Sequence, residues 1–369
     1  MKILADCVGG RDNNFNLIRF AAAVAVLVTH SYAVVGIDPS GEPMRYLTGK
    51  SFGGMAVDAF FITSGFLVTG SLLSRKNAIH FLFARLLRIY PALAMVNLLT
   101  VFVLGLWFTT FSWSEYLGNP LVYEYLIKNT TLWFGISFSL PGLFENNVIK
   151  GGVNGSLWTM YYEVRMYAIL LLTWVALILL KQNSGEKKVG VSLVLIAVAA
   201  IATHMFNHYS GLDEAASRFY FMFFSGVLYY LLRDHIVLSG FLFRVALGLL
   251  AIGVFFKPAF FLSYHLLLPY VILYLAYVPG GNIRLYNNIG DYSYGFYIYA
   301  FPVQQMVATL IPGVSLAGMI ATAFLVTLSF AILSWHLLER PALSLSARWK
   351  NPKINRNKQN SKQGQTRYS

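Results

Sequence analysis

The sequence predicts an all-α integral membrane protein that crosses the bilayer about ten times. Hydrophobic residues make up 57% of the 369 and charged residues 12%, which excludes an ordinary soluble globular domain. Apolar runs of about 17–25 residues, the length of a membrane-spanning helix, recur along the chain. The first run follows a polar stretch and lacks a small-residue cleavage site, so we expect it to remain as an anchor rather than be removed as a signal peptide.

Ten apolar segments account for most of the chain, and several are close to the lower length limit of a spanning helix. They cover residues 15–36, 52–73, 90–111, 157–180, 189–206, 217–232, 239–256, 259–278, 290–311 and 315–338. An even number of spans places both chain termini on the same side of the membrane.

The distribution of charge predicts which side that is. Net charge is +13, and cations concentrate in alternate loops, whereas most loop acids fall in the others. Cytoplasmic loops of membrane proteins are enriched in Lys and Arg, so we expect a multi-pass membrane protein with both termini in the cytoplasm. The single cysteine, Cys7, allows neither an intrachain disulfide nor a thiolate metal cage, and no metal site is predicted.

The chain divides into residues 1–340, a transmembrane domain, and residues 341–369, a basic tail. The tail is polar and rich in Lys and Arg, so we expect it to be disordered, cytoplasmic and attracted to anionic membrane lipid. It contains no nucleic-acid-binding motif, and no nucleic-acid partner is predicted. The sequence gives no indication of oligomeric state.

Arg19 and His30 mark the first apolar segment as a candidate functional site. Eleven residues on an α-helix make about three turns and a rise of about 16 Å, so both side chains share one face. Ionisable groups in membrane helices cost about 3 kcal/mol to insert and usually face a protein interior where they bind or react. The segment is therefore expected to do more than anchor the protein.

Asp58 and Glu163 are predicted to lie at the same depth as His30. With alternating helix directions, each falls about 9 Å below the outer edge of the membrane. An imidazole paired with a carboxylate becomes more basic and can deprotonate a hydroxyl group. The alternative is a structural buried histidine or a polar clamp between helices. With Arg19 and Asp58 nearby, we favour a polar catalytic centre that opens outward.

Arg85 and Arg88 lie three residues apart, just before the third apolar segment. At that spacing they share a helical face on the cytoplasmic side, where two guanidinium groups can clamp a phosphate. Ordinary anchoring by loop cations is the alternative interpretation.

In combination, these motifs make the chain resemble the membrane acyltransferase type 3 family, whose members O-acetylate bacterial surface polysaccharides and related glycans. The resemblance spans nearly the whole chain. It rests on Phe15-Asn16-Leu17-Ile18-Arg19-Phe20 with His30, Val57-Asp58-Ala59-Phe60-Phe61 with Ser64-Gly65-Phe66, Arg85 with Arg88 and Pro91, Gly155-Ser156-Leu157-Trp158 with Glu163, Asp291-Tyr292-Ser293-Tyr294, and Glu339-Arg340-Pro341.

The resemblance implies a protein of the bacterial cytoplasmic (inner) membrane. It also implies a cytoplasmic acyl-CoA donor, with acetyl-CoA expected, and a glycan or lipid-linked saccharide as acceptor. Arg19, Arg85 and Arg88 would bind the donor, and Ser64 would line its path. Ser64 is about 240° from Asp58 on an unbroken helix, so the two can point the same way only if Gly65 marks a break. Many relatives carry a histidine just before the proline of the ninth segment, where this chain has Phe301.

The sequence thus predicts an O-acetyltransferase in which His30 acts as general base, Asp58 orients it, and Glu163 holds the acceptor or assists proton transfer. Direct attack by the acceptor is simpler than an acyl-enzyme, because no activated serine or cysteine is evident. Two alternatives remain: a transporter or flippase of a lipid-linked glycan with the same buried charges, and a membrane sensor with a degenerate site.

Overall fold

A computed structural model, which describes residues 2–10, 12–179 and 185–349, shows a bundle of helices. In chain order these are α1 (Leu4–Cys7), α2 (Phe15–Val34), α3 (Pro43–Thr48), α4 (Phe52–Arg75), α5 (Ala78–Leu99), α6 (Leu106–Phe108), α7 (Trp113–Gly118), α8 (Pro120–Thr131), α9 (Leu157–Leu179), α10 (Gly185–Tyr209), α11 (Ala215–Leu231), α12 (Gly240–Gly253), α13 (Lys257–Tyr277), α14 (Ser293–Leu310), α15 (Leu316–Ser334) and α16 (Arg340–Trp349). Two short antiparallel strands, β1 (Lys2–Ile3) and β2 (Val237–Leu238), complete the described elements.

Each of the ten predicted apolar segments coincides with a long helix. Among the described residues, six helical stretches are long and apolar enough to cross a membrane. They are Phe15–Val34, Phe52–Ser74, Ala78–Phe108, Val189–Tyr209, Pro258–Tyr277 and Leu316–Ser346. The all-α membrane class is therefore confirmed, and ten crossings remain a prediction.

The third segment begins earlier than predicted. Helix α5 begins at Ala78 and continues through a π-helical turn, Thr100–Gly105, into α6. His80, Arg85 and Arg88 interrupt the apolar residues before Tyr90, which is why the predicted segment starts only at residue 90. Arg85 and Arg88 instead lie inside the helix, where Arg88 is ion-paired with acidic side chains of the bundle.

The chain stays helical past the predicted end of the transmembrane domain. A π-helical turn, Trp335–Glu339, joins α15 to α16, so residues 341–349 of the predicted disordered tail are helical. Residues 350–369 lie outside the described part of the chain.

Helix α4 lies at the centre of the bundle, in contact with α2, α11, α13, α9 and α5. Its closest neighbour is α11. A Cβ atom on Gly65 would overlap the Phe223 carbonyl oxygen, and one on Gly226 would overlap the Ile62 carbonyl oxygen. Small residues allow helix backbones to approach closely inside a membrane, where water provides no drive for association. Gly65 therefore marks a helix contact, and α4 runs unbroken through it.

Candidate active site

Helix α2 carries Arg19 and His30 into two different cavities. Arg19 lines a small cavity of about 80 Å³, here called the arginine cavity, together with Arg85 and Arg88 of α5. His30 lines a larger cavity of about 630 Å³, here called the His30 cavity. The rise of about 16 Å between the two residues accounts for this separation. The prediction that both side chains face the protein interior is consistent with this arrangement.

Ser64, Glu163 and Tyr167 form a hydrogen-bonded cluster in the arginine cavity. The Ser64 hydroxyl donates to Oε1 of Glu163 at 2.9 Å and lies 2.7 Å from the Tyr167 hydroxyl, which also donates to Glu163. The Arg85 guanidinium carbon lies 6.0 Å from the centre of the Tyr167 ring. Sequence reasoning missed Tyr167, although residues i and i+4 are neighbours on a helix, and Tyr167 follows Glu163 by that spacing.

Arg88 is engaged by two acidic side chains. Its Nη2 lies 2.5 Å from Oδ2 of Asp291, and its Nη1 lies 3.4 Å from Oε2 of Glu339. Arg19 Nη1 lies 3.3 Å from the same Asp291 oxygen. Asp291 and Glu339 belong to the motifs that carry the family resemblance, but their spacing along the chain does not predict that they contact the arginines.

Asp291, in the loop before α14, is held ionised by these partners. Burial on its own would raise the pKa of the Asp291 carboxyl group, but Arg88 and Arg19, with hydrogen bonds from Ser293, lower it to about 2. Arg88 therefore links α5 to the start of α14 and to the turn that follows α15. Its guanidinium is paired with two carboxylates of the protein.

His30 packs edge-on against Phe301, with ring centres 5.1 Å apart. Its Nδ1 is buried and has no hydrogen-bond partner among the described residues. Phe301 is the residue at which the sequence departs from the pattern that the family resemblance implies, and it directly contacts the candidate base.

The predicted pairing of Asp58 with His30 does not occur. Asp58 is fully buried, accepts a hydrogen bond from the Tyr264 hydroxyl at 2.8 Å, and lies 3.1 Å from Nε of Arg218. Equal depth in the membrane does not determine which way a side chain points around its helix. Asp58 faces α11 and α13, where an arginine is a stronger partner than an imidazole.

The three predicted catalytic residues are thus not brought together. His30 lines the His30 cavity, Glu163 lines the arginine cavity, and Asp58 forms an ion pair with Arg218. Ser64 and Asp58 point in different directions, as the helical angle between them requires on an unbroken helix.

Polar side chains surround the His30 cavity. Glu42 accepts hydrogen bonds from the Thr29 hydroxyl at 2.9 Å and from the Phe52 backbone N–H at 2.5 Å, which fixes the α2–α4 connection at the cavity rim. Lys50 Nζ lies 5.0 Å from the centre of the Tyr264 ring, and burial lowers the Lys50 pKa. Sequence reasoning did not single out Glu42 or Lys50 for this cavity.

The two cavities meet at a common wall formed by Val57 of α4, Thr159 of α9 and Tyr297 of α14. The Thr159 and Tyr297 hydroxyls lie 2.6 Å apart, and the Tyr297 hydroxyl is 3.1 Å from the Ser156 carbonyl oxygen. All three wall residues are buried.

Across the described ranges, no group of three or more His, Cys, Asp and Glu side chains is placed to hold a metal ion.

Comparison with known proteins identifies the family. An acyltransferase domain family matches residues 12–339, most of the chain. The chain belongs to this family. It is 30% identical to an O-acetyl transferase of Shigella phage Sf6 over 346 residues, which cover 91% of this chain and 98% of the relative. It is 27% identical to Nodulation protein 10 of Rhizobium leguminosarum bv. viciae, over 91% of this chain and 94% of that protein.

Family membership makes the chain an acyltransferase, as the sequence motifs predicted. The acyltransferase has helices long and apolar enough to cross a membrane, and Arg19, Glu163 and Arg88 line a cavity between its helices. No solved structure matches it.

Proposed function

We propose that the protein is an O-acetyltransferase that moves an acetyl group from cytoplasmic acetyl-CoA to a hydroxyl of a bacterial surface polysaccharide or lipid-linked glycan. The observation that carries the proposal is the pair of cavities that meet at one wall, one rich in arginine and one containing His30. This arrangement suits a donor and an acceptor that approach from opposite faces. The similarity to an O-acetyl transferase supports acetyl as the group transferred.

The arginine cavity is the proposed donor site. Coenzyme A carries several phosphate groups, and guanidinium groups bind phosphate through charge-assisted, bidentate hydrogen bonds. Arg19 and Arg85 are the proposed phosphate contacts. Arg88, which is ion-paired with Asp291 and Glu339, holds the site in shape and shares its charge with the donor. The Ser64, Glu163 and Tyr167 cluster would line the path of the pantetheine arm.

The His30 cavity is the proposed acceptor site. His30 removes the proton from the acceptor hydroxyl as the oxygen bonds to the acetyl carbonyl carbon. The carbon–sulfur bond of the thioester then breaks, and the coenzyme A thiolate leaves and takes up a proton to become the thiol. No covalent acyl-enzyme is needed for this sequence. Asp58 has no part in orienting His30 here, because its partners are Arg218 and Tyr264.

The proposed membrane arrangement has ten crossings and cytoplasmic termini in the bacterial inner membrane. Arg19, Arg85 and Arg88 would then lie toward the cytoplasm, where acetyl-CoA is made, and His30 toward the outer half, where the glycan is presented. The excess of cations in the loops on one side supports this orientation.

Purified protein provides the test. Release of free thiol from acetyl-CoA should depend on the protein and on added glycan acceptor, and should be lost in His30→Ala. Mass spectrometry of surface glycans from cells with and without the gene should show a mass difference of one acetyl group per modified sugar. A protein that consumes no acetyl-CoA, and glycans of unchanged mass, would reject the proposal and revive the flippase alternative.

A further inference from the structure

Val57, Thr159 and Tyr297 separate the residues that the proposed reaction must bring together. These three side chains line both the arginine cavity and the His30 cavity, and they are the residues that the two linings share. The thioester carbon and the acceptor oxygen have to come within bonding distance. The transferred acyl group must therefore contact this wall as it meets the acceptor.

The wall is built from well-fixed side chains. Tyr297 packs edge-on against Phe60, with ring centres 5.5 Å apart, and its hydroxyl is held by Thr159 and Ser156. Thr159 also donates to the Ser156 carbonyl oxygen at 3.2 Å. Val57 is 8% exposed, Thr159 5% and Tyr297 6%. A closely packed interior adjusts little to an added methylene group.

We infer that Val57, Thr159 and Tyr297 determine the length of acyl chain that the enzyme accepts, with Val57 and the Thr159 methyl group setting the limit near two carbons. The inference rests on the proposed function. One methylene group that fits or fails to fit an apolar pocket changes the specificity constant by about 10- to 200-fold. Removing two methyl groups from the wall should therefore admit a longer acyl chain.

The test compares kcat/KM for acetyl-CoA, propionyl-CoA and butyryl-CoA in purified protein with a glycan acceptor. Val57→Ala removes two methyl groups and should raise the butyryl-to-acetyl ratio at least about tenfold. Thr159→Ser removes one methyl group but keeps the hydroxyl that meets Tyr297, and should favour propionyl-CoA. Because the two variants change different helices, a folding defect in one of them still leaves the other as a test.

Val303→Ala is the matched control. Val303 lies on α14 like Tyr297, is 4% exposed, and is absent from the lining of both cavities in the described part of the chain. Its replacement should leave the chain-length ratio unchanged. Unchanged ratios in Val57→Ala and Thr159→Ser, or an equal shift in Val303→Ala, would overturn the inference. If the wild-type protein consumes no acyl-CoA of any length, the proposed function itself fails.

Discussion

Arg88 and Asp291 form an ion pair of 2.5 Å that joins α5 to the loop before α14. The same arginine reaches Glu339 and the same aspartate reaches Arg19. The sequence predicts a phosphate clamp from Arg85 and Arg88, but Arg88 is ion-paired with two acidic side chains. We therefore expect substitutions at the two positions to have different consequences.

Arg88→Ala should lower the free energy of unfolding by about 3–5 kcal/mol, because it leaves Glu339 buried without its cation and Asp291 with Arg19 alone. Arg88→Lys should retain part of that stability but not the two-carboxylate geometry of the guanidinium. Thermal and denaturant unfolding in detergent measures both. A stable Arg88→Ala protein with only a raised acetyl-CoA KM would show that Arg88 is a ligand contact without a structural role.

Arg85→Ala should raise the KM for acetyl-CoA about tenfold to a hundredfold with a much smaller change in kcat, since a charge-assisted contact is worth about 1.5–3 kcal/mol. Arg284→Ala is a suitable control, because Arg284 is an arginine outside both cavity linings, as far as the structure describes the chain. Its KM should be unchanged. An unchanged KM in Arg85→Ala would remove Arg85 from the donor site.

Stability should fall in acid as Asp291 is protonated. Its ion pairs lower the pKa from 3.8 to about 2 in the folded protein, which corresponds to about 2 kcal/mol of stability. Because the folded-state pKa is the lower one, this contribution is complete above about pH 4 and is lost as pH falls toward 2. Between pH 5 and pH 2, the free energy of unfolding should fall less in Asp291→Asn than in the wild type. An equal fall in the two proteins would contradict the assignment.

His30→Ala should reduce acetyl transfer by about 100-fold or more while the unfolding free energy stays close to that of the wild type.

Asp58→Asn should behave differently from His30→Ala. Loss of its charge weakens the contacts with Arg218 and Tyr264 and should lower stability by about 2 kcal/mol. The pH–rate profile of its remaining activity should keep the wild-type apparent pKa, whereas a shifted profile would restore Asp58 as the partner of His30.

Gly65→Ala and Gly226→Ala should each destabilise the protein by about 1–3 kcal/mol, because the new methyl group overlaps a backbone carbonyl of the facing helix. Gly248→Ala on α12 has open space for its methyl group among the described atoms and serves as the control. Unfolding measurements in one detergent allow direct comparison. Wild-type stability in both contact variants would mean that α4 and α11 are further apart than described.

The sequence predicted the helices well because membrane length and hydropathy are local properties. It also predicted that Ser64 and Asp58 face different ways on a continuous helix, since a helical angle follows from spacing alone. The predicted pairing of Asp58 with His30 was wrong, because two side chains at the same depth in the membrane can still point in different directions around their helices. Asp58 instead contacts Arg218 and Tyr264. These residues lie on other helices, and residue spacing does not predict how each helix is rotated about its own axis.

The wall residues Val57, Thr159 and Tyr297 could not be predicted from the sequence, because it does not show how the helices pack together. Tyr297 and Thr159 have ordinary identities for membrane helices, and only the crossing of α4, α9 and α14 brings them to the junction of two cavities. Tyr167 is the exception, because its spacing from Glu163 within one helix was visible in the sequence.

Glu42 accepts hydrogen bonds from Thr29 and from the Phe52 backbone, and so ties the connection between α2 and α4 to both helices at the rim of the His30 cavity. In the proposed reaction, these contacts hold the rim in place before the acceptor binds. Binding a flexible saccharide then requires the loss of the sugar's own conformational freedom, with little added loss from the protein. Affinity for the acceptor should accordingly depend more on the rigidity of the glycan than on its length.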